Sequence, residues 1–357
     1  MIEPDYSRWD CPIHSYPSLE AFFDHRQIEN GIHSISINGH LLDFFFKGKP
    51  CENLMVVFGG AARRSDGAPP FFSGIRLFDH VNCSLMAIND PSLYLDRQIN
   101  LAWYTGSRVL PLQSILPAVI DRVTLLRASR TIMTGGSGGG FASLYYSTRT
   151  SQPATVVAYN PQTNICNYYR PELERFARVC FGWTKGSIQS AIGDITYDLC
   201  RHYMQEKAPT ILLQNSADYP SIMIHTIPFL KAWGLDWTGK DLATDNLYLH
   251  VGYWGSGHMA PPRETIAHVI NQLCRTNAVS IVGDLTQQFS QSIPFVVDLA
   301  QPFLRQFAFA VGPAQRYSNR SQFVVSLARI AISMARSARS TVQGFINQHR
   351  CRRSATF

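Results

Sequence analysis

One stretch narrows the possible folds of this chain more than any other: Thr131-Ile132-Met133-Thr134-Gly135-Gly136-Ser137-Gly138-Gly139-Gly140-Phe141-Ala142. An apolar run enters a turn of five glycines around one serine, and a helix-compatible segment leaves it. Gly135, Ser137 and Gly139 make G-x-S-x-G, a spacing that fits a sharp strand-to-helix turn. Side chains two residues either side of the serine would keep strand and helix apart, so glycine is required there. The turn lifts Oγ into the open and leaves the Gly138 N–H at the start of a helix, where it faces developing negative charge. A phosphate loop is excluded, because Phe141-Ala142 stand where Lys-Ser or Lys-Thr is needed. The dinucleotide spacing G-x-G-x-x-G also fails here.

The elements around this turn alternate. Residues 32–46 form a β-hairpin, with Asn38-Gly39 as its type I′ turn. Continuous apolar runs at Leu54–Phe58, Ser84–Ile88, Thr131–Thr134, Thr155–Tyr159, Thr210–Gln214 and Leu247–Val251 suit strands buried on both faces of a parallel sheet. Helix-compatible segments at Ile115–Ala128, Phe141–Thr148, Ile222–Trp233 and Arg263–Arg275 separate them. The pattern predicts an α/β fold with a doubly wound, mostly parallel sheet. Ligands of such a sheet bind beyond the carboxyl ends of its strands. Residues 161–208 fall between two strands and read as a mostly helical cap. Their Tyr168, Tyr169, Phe176, Phe181 and Trp183 suit an apolar acyl group or a stacked sugar.

A serine hydroxyl needs a base, and the base needs an orienting acid. Asp218 follows the run Thr210–Gln214, and His258 lies in the glycine-flanked loop after Leu247–Val251. Asp236, Asp241 and Asp245 are rival acids in a polar stretch that reads as a solvated loop. His250 is the rival base, but lies within a strand. A second oxyanion donor is expected from the loop Phe58-Gly59-Gly60-Ala61-Ala62-Arg63-Arg64, at the amide of Gly60 or Ala61. Arg63 and Arg64 are read as solvated arginines, or as partners of an anionic substrate group.

The formal net charge of +7 lies wholly beyond residue 280, where nine arginines and two acids stand. The main domain is neutral, so no nucleic-acid partner is expected. Apolar residues from Phe323 to Ile346 recur at three- and four-residue steps. This amphipathic, arginine-rich helix is expected to pack on the main domain or a second subunit, or to meet a protein partner or an anionic membrane surface. The expected division is a domain over 1–280, with its cap at 161–208, and a basic helical extension over 281–357. The eight cysteines show no CxxC pair and read as scattered reduced thiols. With no signal-peptide pattern and no run of about 18 apolar residues, the expected location is cytoplasmic or peripheral to a membrane.

Gly135–Gly139, Asp218, His258 and Gly59-Gly60, in this order of elements over about residues 30–275, resemble the α/β-hydrolase superfamily. Tyr159-Asn160-Pro161-Gln162-Thr163-Asn164 resembles hydrolase-like proteins of bacterial polysaccharide and accessory-secretion loci. The glycine turn lacks the His-Gly form of lipases. The resemblance implies a serine esterase or thioesterase acting on a small acyl ester or thioester, with Ser137, Asp218 and His258 as triad and no cofactor or metal. It equally admits an acyltransferase to a sugar or other hydroxyl acceptor, and a binding scaffold on a hydrolase fold.

Overall fold

A computed structural model describes residues 1–203 and 205–275. Residues 1–236 and 241–275 belong to one compact unit. Trp237–Lys240 is a short stretch closed by the Trp237 indole N–H on the Lys240 carbonyl at 2.6 Å. The arginine-rich helix expected over 323–346, with the rest of the extension 281–357, lies outside the described residues.

The described strands are β1 (Ile13–Tyr16), β2 (Gly31–Ile37), β3 (His40–Lys47), β4 (Asn53–Phe58), β5 (Ser84–Ile88), β6 (Arg130–Gly136), β7 (Ala154–Tyr159), β8 (Thr210–Asn215), β9 (Leu242–Ala243) and β10 (Leu247–Gly252). They form one sheet in the order β1-β2-β3-β5-β4-β6-β7-β8-β10-β9. From β5 to β10 every neighbouring pair is parallel. β3 runs against β2 and β5, and β9 against β10. The expected mostly parallel sheet, flanked by helices, is the observed one. β4, β8 and β10 are buried at every position, as their unbroken apolar runs require. Asn38 and Gly39 take φ of 50° and 79°, the positive pair that a type I′ turn needs. The chain leaves β4 for β5 on one side and returns through the helix Leu112–Arg127 to β6 on the other. The loops after β4 and β6 therefore part above adjacent strands, which opens a crevice at their carboxyl ends.

Three features depart from the sequence reading. A strand not read from the sequence, β1, precedes the hairpin and pairs with β2 in parallel. The segment Ile222–Trp233 is not one regular helix: Ile222–Thr226 is a π-turn, and the α-helix covers Ile227–Ala232. Pro228 is the physical reason, since it brings no N–H for the Ile224 carbonyl four residues back. The Asn167 side chain donates to that carbonyl instead, at 3.2 Å. The thiols, finally, are not all scattered. Cys83, at the entry to β5, and Cys274, in the helix Arg263–Arg275, bring their sulfurs within 3.2 Å. Asn271 ties the same two elements, donating to the His80 carbonyl and accepting from the Asn82 N–H. Among the described residues, no helix is long and apolar enough to cross a membrane.

Two buried histidines tie stability to pH. His33 lies stacked on Phe44; its Nε2 meets the Glu29 carbonyl, so Nδ1 is left to accept from Tyr16. Burial pulls its pKa down to about 4, and does the same to His225. Each folded value lies below the unfolded one near 6.5. Their stabilising effect is therefore full above pH ~6.5 and lost as pH falls toward 4, by roughly 3 kcal/mol each. Asp90 works in the opposite sense, because burial lifts its pKa to about 6. The prediction is therefore a difference. His33→Gln is expected to lose less stability than the wild type between neutral and acidic pH, read from urea midpoints. Parallel curves for the two proteins would refute it.

Candidate active site

Ser137 connects β6 to the helix Gly138–Tyr146 with φ 55° and ψ −120°, a strained conformation for any residue with a side chain. The glycines let the two elements approach. A Cβ on Gly139 would stand 2.2 Å from the Phe58 carbonyl oxygen, and one on Gly135 would stand 2.5 Å from the Gly139 carbonyl carbon. Both are impossible contacts, so the turn admits nothing larger there. The Gly60 loop comes close too, since a Cβ on Gly60 would lie 3.8 Å from the Ser137 Cβ. Among the described hydrogen bonds, the Gly59 amide is taken by the Tyr104 hydroxyl, and those of Gly60, Ala61 and Gly138 have no acceptor.

Asp218 and His258 are brought together. Asp218 lies just past β8, 3% exposed, at the start of the turn Tyr219–Ser221. Its Oδ2 is 2.5 Å from His258 Nδ1. Burial pushes the Asp218 carboxyl up, but hydrogen bonds from His258 and Ser221 outweigh it and hold it below the ordinary carboxylate value. An ionised carboxylate can only accept, so His258 Nδ1 carries the hydrogen, which in the neutral ring makes Nε2 the base. The Ser221 hydroxyl, 3.3 Å from Nδ1, adds a weaker contact. His250, the rival base, is engaged in β10: its Nδ1 lies 2.8 Å from Asp241, which also accepts the Val251 N–H at 2.7 Å. Asp241, exposed in its loop as expected, is thus also a structural partner of β10.

Ser137 is not joined to His258 directly; no hydrogen bond between them occurs among the described residues. The serine Oγ accepts instead from Gln162 Nε2 at 3.1 Å. The segment that follows β7 links the two halves of the site. The Tyr159 carbonyl accepts the Ser137 N–H, and the Gln162 N–H donates to the Ser137 carbonyl, both at 3.1 Å. Asn160 Nδ2 donates to the Met259 carbonyl at 2.7 Å, next to His258. Asn215, at the end of β8, holds the same loop by donating to the Gly255 and Gly257 carbonyls at 2.8 and 2.7 Å. Its own N–H goes to Asn160 Oδ1, and Thr226 of the π-turn anchors the neighbouring Gln214.

Sequence reasoning gave no site role to Asn160, Gln162 or Asn215, although the first two lie in the quoted segment Tyr159–Asn164. Uncharged amides have no pattern of their own, although two polar residues ending the apolar run of β8 were a usable signal. Asn215→Ala is expected to cost about 2–4 kcal/mol, because it leaves two loop carbonyls without donors. Urea unfolding checks this, and a change below about 1 kcal/mol would sink it.

One expectation about the walls is corrected. Arg64 is not a solvated arginine: its guanidinium donates to the carbonyls of Ile99, Leu93 and Asp96, while Arg63 is exposed. Of the aromatic residues of the insertion 161–208, Tyr169 is exposed, and Tyr168 and Trp183 are half-buried. Phe176 and Phe181 are buried, and Tyr168 and Phe176 pack on Trp103. The aromatic wall beside the Gly60 loop comes from Trp9, Phe71 and Phe72, around a cleft of about 270 Å³.

No protein-family model and no curated protein sequence matches the chain. Among solved structures, the capsule O-acetyltransferase of Neisseria meningitidis serogroup A superposes with a TM-score of 0.50 at 14% identity, over 68% of this chain and 94% of that one. Carboxyl esterase 2 from the mycorrhizal fungus Tuber melanosporum superposes with a TM-score of 0.45 at 13% identity, over 78% and 95%. At such identities, the first of these likenesses is one of fold.

Proposed function

We propose that this chain, which has the α/β-hydrolase fold, is a serine esterase or thioesterase working through an acyl-Ser137 intermediate. The observation that carries the reading is the Asp218–His258 pair at 2.5 Å, at the same strand ends as a serine in a strained strand-to-helix turn. In this mechanism Oγ attacks the acyl carbonyl as its proton passes to His258 Nε2. Asp218 holds the imidazole in the tautomer that has Nε2 free and stabilises the imidazolium that forms. The Gly138 amide and that of Gly60 or Ala61 receive the oxyanion. His258 then returns its proton to the departing alcohol or thiol. Water, activated by the same imidazole, releases the acid and restores Ser137. The acyl substrate is a small molecule, and the chemistry calls only on side chains and amides.

The same residues serve transfer to a hydroxyl acceptor, and the fold likeness to a capsule O-acetyltransferase makes a sugar hydroxyl the acceptor to try first. A fluorophosphonate probe separates either enzyme from a non-catalytic scaffold. The wild type is expected to be labelled on Ser137, with the mass of the adduct on the peptide containing it. Labelling that persists in Ser137→Ala would overturn the assignment. Release of acetate from p-nitrophenyl acetate, with and without sugar alcohols, then distinguishes hydrolysis from transfer.

A further inference from the structure

One buried polar side chain at the reacting atom has no part in the scheme above. Gln162 is 4% exposed, and its Nε2 lies 3.1 Å from Ser137 Oγ. Its orientation is not free, because its Oε1 receives the indole N–H of Trp103. An indole N–H can only donate, so the atom it meets is the amide oxygen, and the NH₂ group is thereby turned on the serine. That group can only donate in turn. Oγ is the acceptor, and the serine keeps its own hydrogen for the base.

Trp103 is itself firmly placed. It is 1% exposed, packed edge-on against Tyr168 and Phe176, with ring centroids 5.3 and 5.0 Å away. Trp103 and Tyr104 both have left-handed backbones, φ 53° and 56°, which bulky residues seldom adopt. Asp90 holds that conformation by accepting the Tyr104 N–H at 2.8 Å, and Tyr146 donates to the Tyr104 carbonyl. Strain of this kind, kept by surrounding hydrogen bonds, concentrates where a side chain must be aimed.

We propose that Gln162 is a further catalytic residue, whose amide holds Ser137 Oγ and stabilises the charge that grows on it, with Trp103 as the positioning residue that aims it. The proposal rests on the acyl-serine reading. In the attack the O–H bond breaks toward His258 Nε2, and the electron pair left on Oγ forms the bond to the acyl carbon. In deacylation the Oγ–C bond breaks, the pair returns to Oγ, and His258 supplies the proton. Oγ carries partial negative charge at both moments, and a hydrogen bond to the charged form favours it. A core amide serving only to satisfy Trp103 would affect stability and leave the chemical step alone.

The test measures p-nitrophenyl acetate turnover and the rate of fluorophosphonate labelling in the full chain, with Ser137→Ala as the blank. Gln162→Met keeps the shape without the donor, and is expected to lower kcat and the labelling rate by ~10–100-fold with KM within about twofold. Gln162→Glu replaces the donor by a carboxylate, and should recover relative to wild type as pH falls and the carboxyl regains a proton to donate. Trp103→Phe keeps a ring between Tyr168 and Phe176 but removes the N–H, with a smaller loss of ~3–10-fold expected. A Gln162→Met kcat within about twofold of wild type, or a loss confined to KM, overturns the proposal. No recovery of Gln162→Glu on acidification also counts against a donor role. Should Gln162→Met fail to fold, an unchanged kcat in Trp103→Phe overturns it instead. If the wild type is not labelled on Ser137, the acyl-serine reading falls and the role of Gln162 with it. If labelling is normal and equally fast in the Gln162 variants, the reading stands and only this role falls.

Discussion

Ser137→Ala is expected to reduce ester turnover by ~10⁴–10⁶-fold while the protein stays folded, because the members of a nucleophile–base pair act as a unit and neither does much without the other. Alanine keeps the φ of 55° and ψ of −120° that the turn imposes, so the strain persists after the hydroxyl has gone. Ser137→Gly, equally inactive, should melt above Ser137→Ala, since glycine enters that region without penalty. The two variants separate the chemistry of the site from its conformational cost. More than about a tenth of wild-type activity in either would remove Ser137 as nucleophile.

Asp218→Asn should lower turnover by ~10³–10⁴-fold, the size of effect seen when a triad aspartate becomes an amide in a serine protease. The reason is the tautomer. The carboxylate that meets His258 Nδ1 at 2.5 Å compels that nitrogen to carry the hydrogen. An amide can turn its NH₂ to the ring instead, which moves the hydrogen to Nε2 and leaves nothing to take the serine proton. The Asp218 carboxyl is held below the ordinary value, so it stays ionised throughout the neutral range, and its own titration should contribute to the pH profile only in strong acid. Asp241→Asn is the comparison. Asp241 partners His250 and the Val251 N–H, so its loss should lower the melting temperature and leave turnover nearly intact. A reversal of these two results would move the acid–base pair to Asp241 and His250.

Much of the architecture was legible because burial on both faces leaves an unbroken mark: the runs that became β4, β8 and β10 could hardly be anything else in a chain of this pattern. The helix Arg263–Arg275 was visible end to end, since its prolines precede it and its apolar stripe is regular. Asn38-Gly39 announced its turn through the φ values it tolerates. β1 escaped notice because only Tyr16 of its four residues is buried. The π-turn escaped because one proline cannot say whether a helix will start, kink or widen around it. Ser137, Asp218 and His258 stood out through their residue types and loop positions. Asn160, Gln162 and Asn215 did not, because their importance lies in which distant carbonyl or hydroxyl they reach, and that is decided by the folded sheet.

The four residues Tyr159 to Gln162, where β7 passes into the insertion 161–208, touch both Ser137 and the loop of His258. This short stretch thus sets the nucleophile against the loop of a base that lies about a hundred residues further along the chain. The insertion reaches the supports of the site at Trp103, through Tyr168 and Phe176, and at the π-turn, through Thr163 and Asn167. Whatever shifts Tyr159 to Gln162 must therefore shift the nucleophile and the loop of its base together.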